Sequence, residues 1–333
     1  MSSSSRARLL GLAALALVTA VAARASAQQM AQGFSAERFY PSAPGAGWLV
    51  MDDLDMQGYL GGVMGLTLGY AHDPLQVASG GQQLNVISDA AFADFGVAIT
   101  HQRWRFYLNF DAPLVLRGEA GVVGGYEYNY NPMTNMPAPL RITLGSHPDA
   151  LTDARIGTDA RIWGAPGGRF RLGAGAQLLV PNGTRGEYMT DDSFRAMLRA
   201  LCAGDVGRLT YAAQLGVHIR PLDMRPVPDA PRGSELLFGA AAGARFSPWP
   251  GQALIVGPEI FGATAFRSFF SSGGTALEAM LTGRLEGTAP GGRQMRLKLG
   301  AGGGLNADFG APEWRIVAAV ELFNRDVTVP ASE

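Results

Sequence analysis

The chain has 333 residues, with 27 lysines and arginines against 28 aspartates and glutamates and a formal net charge of −1, a balance that argues against a nucleic-acid partner. Hydrophobic residues make up 47%, yet beyond the N-terminus no run of about 18 apolar residues occurs, so no membrane-spanning helix is expected there. Glycine is frequent, 45 of 333, against about 7% in ordinary domains. The single cysteine, Cys202, excludes an intramolecular disulfide and a cysteine-based zinc cluster.

Residues 1–27 read as a secretory signal. Arg6 and Arg8 give a basic start, an apolar centre follows over 9–22, and Ala25-Ser26-Ala27 offers small residues for cleavage before Gln28. Residues 28–55 follow no sustained period. They hold Pro41, Pro44, Gly45 and Trp48, then the acids Asp52, Asp53 and Asp55. They are expected to form an irregular periplasmic lead-in segment, one that could tuck into the mouth of a barrel.

From residue 56 a period of two takes over and persists to 323. Side chains alternate across a strand, so such a run has two distinct faces. The pattern is clearest over 153–180. There Ala154, Ile156, Ala160 and Ile162 oppose Asp153, Arg155, Gly157, Asp159 and Arg161. After Pro166-Gly167-Gly168, Phe170, Leu172, Ala174 and Leu178 oppose Arg169, Arg171 and Gly173. In chain order the alternating runs cover 60–70, 84–100, 104–116, 154–162, 170–180, 194–202, 211–219, 236–244, 254–260, 277–285, 297–305 and 314–322.

About twelve strands are therefore predicted, most of them longer than the 5 to 6 residues common in soluble proteins and long enough for the roughly 9 to 11 of a tilted membrane strand. Pro113 and Pro258 fall inside strands and each removes a ladder donor, so local bulges are expected. The connections alternate in length. Those near 101–102, 165–168, 203–207, 247–251 and 289–292 are short; those over 73–83, 118–150, 181–190, 221–232 and 267–274 are mostly longer. Short periplasmic turns and longer external loops are the asymmetry of bacterial membrane barrels. The expected fold is all-β: an antiparallel transmembrane β-barrel over 56–323, in contact with outer-membrane lipid, with N- and C-termini periplasmic and 324–333 a short tail. A soluble sandwich with its apolar face inside would show the same alternation but not the strand length or the loop asymmetry.

Aromatic residues fall near both ends of the strands, as membrane barrels require. Trp104, Phe170, Phe246 and Phe323 are assigned to one girdle; Tyr70, Phe194, Phe266 and Trp314 are assigned to the other.

The inward rows carry mixed charge. The basic set is Arg105, Arg155, Arg161, Arg169, Arg171, Arg195, Arg199, Arg220, Arg245, Arg284, Arg296, Lys298 and Arg315. The acidic set is Asp94, Asp111, Asp153, Asp159, Glu235, Glu259, Glu278, Glu286 and Glu321. Charges in a wall of low dielectric need partners or water. One reading is a narrow wet pore for small solutes with a mild anion preference; the inward glycines, which remove bulk, favour it. The other is a cross-strand ion-pair network that fills the lumen of a structural or adhesive envelope barrel.

The connection over 118–150 is long enough to carry a function. It holds Tyr126, Tyr128 and Tyr130, which read either as a constriction or stacking platform for a solute, or as part of a hairpin that extends the wall. The four histidines, His72, His101, His147 and His218, make no convincing hydrolase constellation. The glycines of 300–304 lack the Lys-Ser/Thr of a phosphate-binding loop. No enzyme activity, cofactor or metal is expected.

Short motifs carry a family resemblance. Phe34, Glu37-Arg38-Phe39, Pro41-Ser42, Gly45 and Trp48 resemble the opening of the large N-terminal barrels of some OmpA-family outer-membrane proteins. The stretch 65–75 is similar to the end of their first strand, and 105–116, with Asp111-Ala112-Pro113, to their third. The resemblance implies an outer-membrane β-barrel with a transport or envelope role. Those proteins often continue into acidic repeats and a peptidoglycan-binding domain, whereas this sequence ends ten residues past Phe323, so peptidoglycan anchoring is not implied.

Overall fold

The structure, a computed structural model, describes residues 33–324 apart from 57–59, 80, 124–126, 131–136, 140–141, 143, 145–150, 223–232, 289–292 and 307–308. Twelve strands close into one antiparallel barrel: β1 (Gly61–Ser79), β2 (Gln82–His101), β3 (Trp104–Arg117), β6 (Ala154–Trp163), β7 (Arg171–Val180), β8 (Arg195–Val206), β9 (Leu209–Ile219), β10 (Glu235–Phe246), β11 (Ala253–Ala265), β12 (Thr275–Thr288), β13 (Gln294–Gly304) and β14 (Trp314–Phe323). Each strand pairs with its neighbour in sequence. The seam between β1 and β14 runs from Val63 opposite Phe323 to His72 opposite Trp314. Closure leaves no strand edge unpaired, the one way a sheet can satisfy its backbone in lipid.

The alternation points the way the sequence predicts. Phe106 is 54% exposed while its neighbour Arg105 is fully buried, and Leu281 is 61% exposed beside the buried Thr282. Leu66, Phe95, Ile156, Leu198, Leu215, Leu299 and Ile316 continue the apolar outside around the cylinder. Arg171, Arg315, Asp159 and Glu259 point inward with no more than 1% of their surface exposed. A soluble barrel would have these faces exchanged.

The turns at one rim are tight, as between β2 and β3 or β8 and β9. At the other rim the connections are longer, and several predicted loops are partly strand. β1 and β2 run on to Ser79 and Gln82, through register shifts between His72 and Gln76, into a protruding hairpin. Within the β3–β6 connection, β4 (Glu127–Tyr130) and β5 (Pro137–Pro139) form a separate two-stranded sheet. Of the proline positions, Pro113 does sit at a register shift, opposite Phe92. Pro258 does not: Ala241 still faces Glu259 and Ala244 still faces Val256, so the register is kept across it.

The core lies in the lumen. Residues 33–56 thread the barrel from the long-loop rim to the tight-turn rim before entering β1. Phe39, Trp48, Leu49, Met51, Leu54 and Met56 cluster there with Leu201, Ile255, Phe261, Met280 and Val317 from the wall. Gly33 lies at the long-loop rim beside Arg185, and Asn324 lies at the opposite rim, bonded to Gly62.

Candidate functional site: the occupied lumen

Prolines and glycines keep 33–56 out of the sheet, and side chains of the wall supply the hydrogen bonds that a strand would otherwise make. At the long-loop rim Phe34 packs edge-on to Tyr188, with centroids 5.7 Å apart, and to Phe309 at 6.0 Å. Ala36 N–H donates to the Tyr188 carbonyl at 2.8 Å. Deeper in, Glu37 accepts from Arg315 at 2.8 Å, and Arg315 also donates to Glu278 at 3.0 Å. Arg38 and Arg220 both donate to Glu235, at 2.8 and 2.9 Å. Phe39 lies between Phe92 and Phe261, with the Arg315 guanidinium 4.8 Å above its ring. Arg155 donates to the Pro41 carbonyl at 2.7 Å.

The centre of the segment is a compact turn. Ser42 N–H donates to the Leu49 carbonyl at 2.8 Å and Asp53 N–H to the Ala46 carbonyl at 2.7 Å. Gly47 sits at φ 103°, and a Cβ there would come 2.1 Å from an Asp53 oxygen, so both the angle and the space require glycine. Asp52 accepts from Leu54 N–H at 2.7 Å and Asp53 from Asp55 N–H at 3.1 Å, two successive turns of the kind aspartate favours.

One wall residue grips this turn by its backbone. The Glu259 carboxylate accepts three successive N–H groups: Leu49 and Val50 at 2.9 Å each, and Met51 at 3.2 Å. Lys298 donates to the Trp48 carbonyl at 3.0 Å, and Arg171 and Arg161 donate to the Asp53 and Leu54 carbonyls at 2.8 and 2.9 Å. Arg105 pairs with Asp52, and Arg284 with Asp53 at 2.9 Å. The apolar side chains of the turn occupy room left by wall glycines: Trp48 lies against Gly243, Leu49 against Gly300, Met51 against Gly239 and Leu54 against Gly173. The space those glycines free, read from sequence as pore, holds the lead-in segment. Two pockets of about 60 and 30 Å³ lie between segment and wall, one lined by Phe39, Tyr40, Phe92 and Arg155, the other by Pro41, Val50 and Gln177. They have room for a few waters.

The charges of the segment are set against each other. Burial pushes the Asp53 carboxyl up, but Arg284, Arg296 and Arg171 outweigh it and hold the group at about 2. For Asp52 the balance reverses. Burial, helped by the neighbouring Asp159 and Asp53 carboxylates, outweighs Arg105 and raises it to about 6. Arg105 is also shared with Asp159, at 3.5 Å. At the long-loop rim burial also acts on Asp191, yet Arg220 at 2.7 Å holds it well below the ordinary range.

Most of the inward charges predicted from sequence meet in this network. Arg195 pairs with Asp153 at 2.6 Å, Arg199 with Asp159 at 2.8 Å, Arg155 with Asp94, Arg296 with Glu286 and Glu321, and Lys298 with Glu321 at 2.7 Å. Asp111 is half-buried, 3.6 Å from Arg155. Arg245 is half-buried too, 3.1 Å from Asp205. Arg169 is the exception: it lies in the β6–β7 turn and is exposed, because alternation ends before β7 begins at Arg171.

Of the girdle residues, Trp104, Phe170, Phe246, Phe266 and Trp314 are exposed, and Tyr70 is half-exposed against Trp314 at 5.0 Å. Phe323 faces inward instead, buried with Ala43, Val63 and Tyr107 and with Arg296 5.1 Å above its ring. It opposes Val63 across the seam and covers the foot of the lead-in segment. Tyr126 lies outside the described residues, and of Tyr128 and Tyr130 only the backbone, in β4, is described. Sequence reading missed Glu37, Arg38, Asp52 and Asp53 as lumen groups. The available signal was an acidic run set against inward rows richer in arginine than in acids.

No protein-family model matches the chain, and neither does any curated protein. Among solved structures it is similar to the COG4313 outer membrane channel from Pseudomonas putida F1, at 12% identity and a TM-score of 0.50 over 81% of this chain and 98% of that one. The NanC porin superimposes less well, at 7% identity and a TM-score of 0.43 over 78% and 98%. What this chain shares with the COG4313 channel is the fold, a twelve-stranded barrel of the outer-membrane type.

Proposed function

We propose that this barrel is an outer-membrane channel for small solutes, closed in the described conformation by residues 33–56 and opened when that segment shifts. The observation that carries this reading is how the lumen is filled. The filling is a separate stretch of chain held by hydrogen bonds and ion pairs, and the wall behind it is cleared by glycines at 173, 239, 243 and 300. A barrel meant to be solid could fill itself with wall side chains.

A mild anion preference follows from charge. A departing segment takes Glu37, Asp52 and Asp53 with it and strips partners from Arg315, Arg105 and Arg284 on the wall. Kinship with the barrels of OmpA-family proteins belongs to the same proposal. Its motif residues Phe34, Glu37, Arg38, Phe39 and Trp48 are those that seat the segment. So do the export signal over 1–27 and the tail over 324–333. No catalytic part is assigned: His218 is buried in the lumen, 3.5 Å from Glu235, away from the lipid face where a barrel lipase would work.

Planar-bilayer recording of the refolded protein tests the reading. Brief, infrequent current steps are expected from the parent and longer ones from variants with a loosened segment. A folded barrel that passes no current in any such variant would exclude the channel. That outcome would select the second reading, a structural envelope barrel acting through its long-loop rim, which the tight seating of Trp48 and Met51 favours.

A further inference from the structure

At the long-loop rim, away from the lumen, four side chains converge without making hydrogen bonds to the one at their centre. His72 Nε2 lies 3.6 Å from Asp73 Oδ2 and 4.0 Å from Glu313 Oε2, and His72 Nδ1 lies 3.6 Å from Asp89 Oδ1. Strand alternation would send His72 and Asp73 to opposite faces. The left-handed backbone at Asp73, φ 49°, followed by Pro74, turns them toward each other. Glu313 N–H donates to the His72 carbonyl at 2.9 Å and so fixes the third group in place.

These separations are too long for hydrogen bonds. They suit ligands that share an ion: donors about 2.1 Å from a tetrahedral centre lie about 3.4 Å apart. A second observation points the same way. The Asp73 side chain is nine-tenths buried, and its Oδ1 has no hydrogen-bond partner among the described residues, nor has His72 Nδ1. A buried carboxylate oxygen without a donor is costly, and a cation would satisfy it. The imidazole is also held for the task. It leans on Trp314, tilted by 32° with centroids 5.6 Å apart, and its far nitrogen faces Asp89, whose carboxylate is itself fixed by the Tyr70 hydroxyl. Ligating histidines commonly turn their other N–H to such a carboxylate. A cleft of about 520 Å³ lined by Gln76, Gln83, Asn306 and Glu313 gives access from the rim.

We propose that His72 Nε2, Asp73 and Glu313 bind a divalent first-row transition metal of the zinc type, with Asp89 as the positioning residue for the imidazole. One nitrogen and two carboxylate oxygens make a three-ligand set with a position left open to water. The ion would tie β1 to the link before β14 across the barrel seam. The site shares no residue with the lumen network, so it stands or falls independently of the channel reading.

The test is titration of the refolded, untagged full chain in detergent at neutral pH with Zn²⁺ by calorimetry, and with Co²⁺ by visible absorption. One saturable site with ligand-field bands is expected. His72→Ala should weaken binding by about 100-fold or more, and Asp89→Asn by about 10- to 100-fold with recovery in Asp89→Glu. Glu313→Gln alters an exposed side chain and guards against a folding artefact; it too should weaken binding at least tenfold. Absence of saturable binding by the folded parent would overturn the proposal, as would equal affinity in the parent, His72→Ala and Glu313→Gln.

Discussion

The indole of Trp48 occupies the space that a side chain at Gly243 would fill: a Cβ built there would lie 2.8 Å from its Cη2 atom and 2.9 Å from the Val256 carbonyl. The ring is rigid and lies under the Arg284 guanidinium, 5.5 Å from its centroid, so it cannot yield as a flexible chain would. Gly243→Leu should therefore lift the turn off the wall at a cost of about 1 to 3 kcal/mol, the usual penalty for overfilling a packed interior. Acrylamide quenching of tryptophan fluorescence should rise in the variant while the barrel keeps its heat-modifiable mobility on gels. Unchanged quenching would mean that Trp48 is not seated where the structure has it.

How much of this was legible beforehand differs between wall and lumen. The wall was legible because lipid on one side and charge on the other impose a period of two. Phe106 and Arg105 are told apart by parity alone. The lumen was less so. Trp48 and Asp53 sit in a segment with no period, and their partners Gly243 and Arg284 lie about 200 residues away in sequence. Nothing local marks Gly243 as a socket rather than a bend or a pore-widening residue. Phe323 failed for another reason. Its position near a strand end suits an interfacial girdle, but its parity, shared with the inward Arg315 and Glu321, points it into the lumen, where it is buried opposite Val63. The protruding β1–β2 hairpin was hidden by Asp73-Pro74, a turn signal that the structure uses as an irregularity inside a strand.

The grip of Glu259 gives a second test. Glu259→Ala would leave three buried N–H groups, those of Leu49, Val50 and Met51, without an acceptor, each at a cost of about 1 to 3 kcal/mol. Amide exchange over 49–51 should accelerate at least tenfold by mass spectrometry, while the strands of the wall remain protected. Glu259→Gln keeps one acceptor oxygen and should fall between. Equal exchange in all three proteins would show that the carboxylate does not hold the segment.

Selectivity should depend on which charges the segment leaves behind. In a channel opened by Glu259→Ala, Arg284 has lost Asp53 but keeps Glu286 at 3.3 Å, and Arg105 keeps only Asp159. Adding Arg105→Gln should move the reversal potential in a salt gradient toward cations. Adding Arg169→Gln, at the exposed turn, should change it much less. If both move it equally, the preference arises at the rim and not in the lumen.

Acidity should act on the segment in opposite directions through its two aspartates. Asp53 is held at about 2, below the ordinary carboxylate value of 3.8 that applies once the segment is released to water. Its contribution, about 2 kcal/mol, is fully present above that value and is lost as pH falls through 2. Asp52 is raised to about 6, so its charge opposes seating at neutral pH, and protonation relieves that as pH falls from about 6 toward 3.8. The closed state should accordingly be most persistent near pH 4 to 5, with open probability rising toward pH 7 on one side and below about pH 3 on the other. Asp52→Asn should flatten the neutral limb and Asp53→Asn the acidic one. Single-channel recording across this range decides the matter: an open probability that stays level from pH 7 to pH 5 in the parent, or neutral limbs that coincide in the parent and Asp52→Asn, would show that the burial of Asp52 has no part in holding the segment.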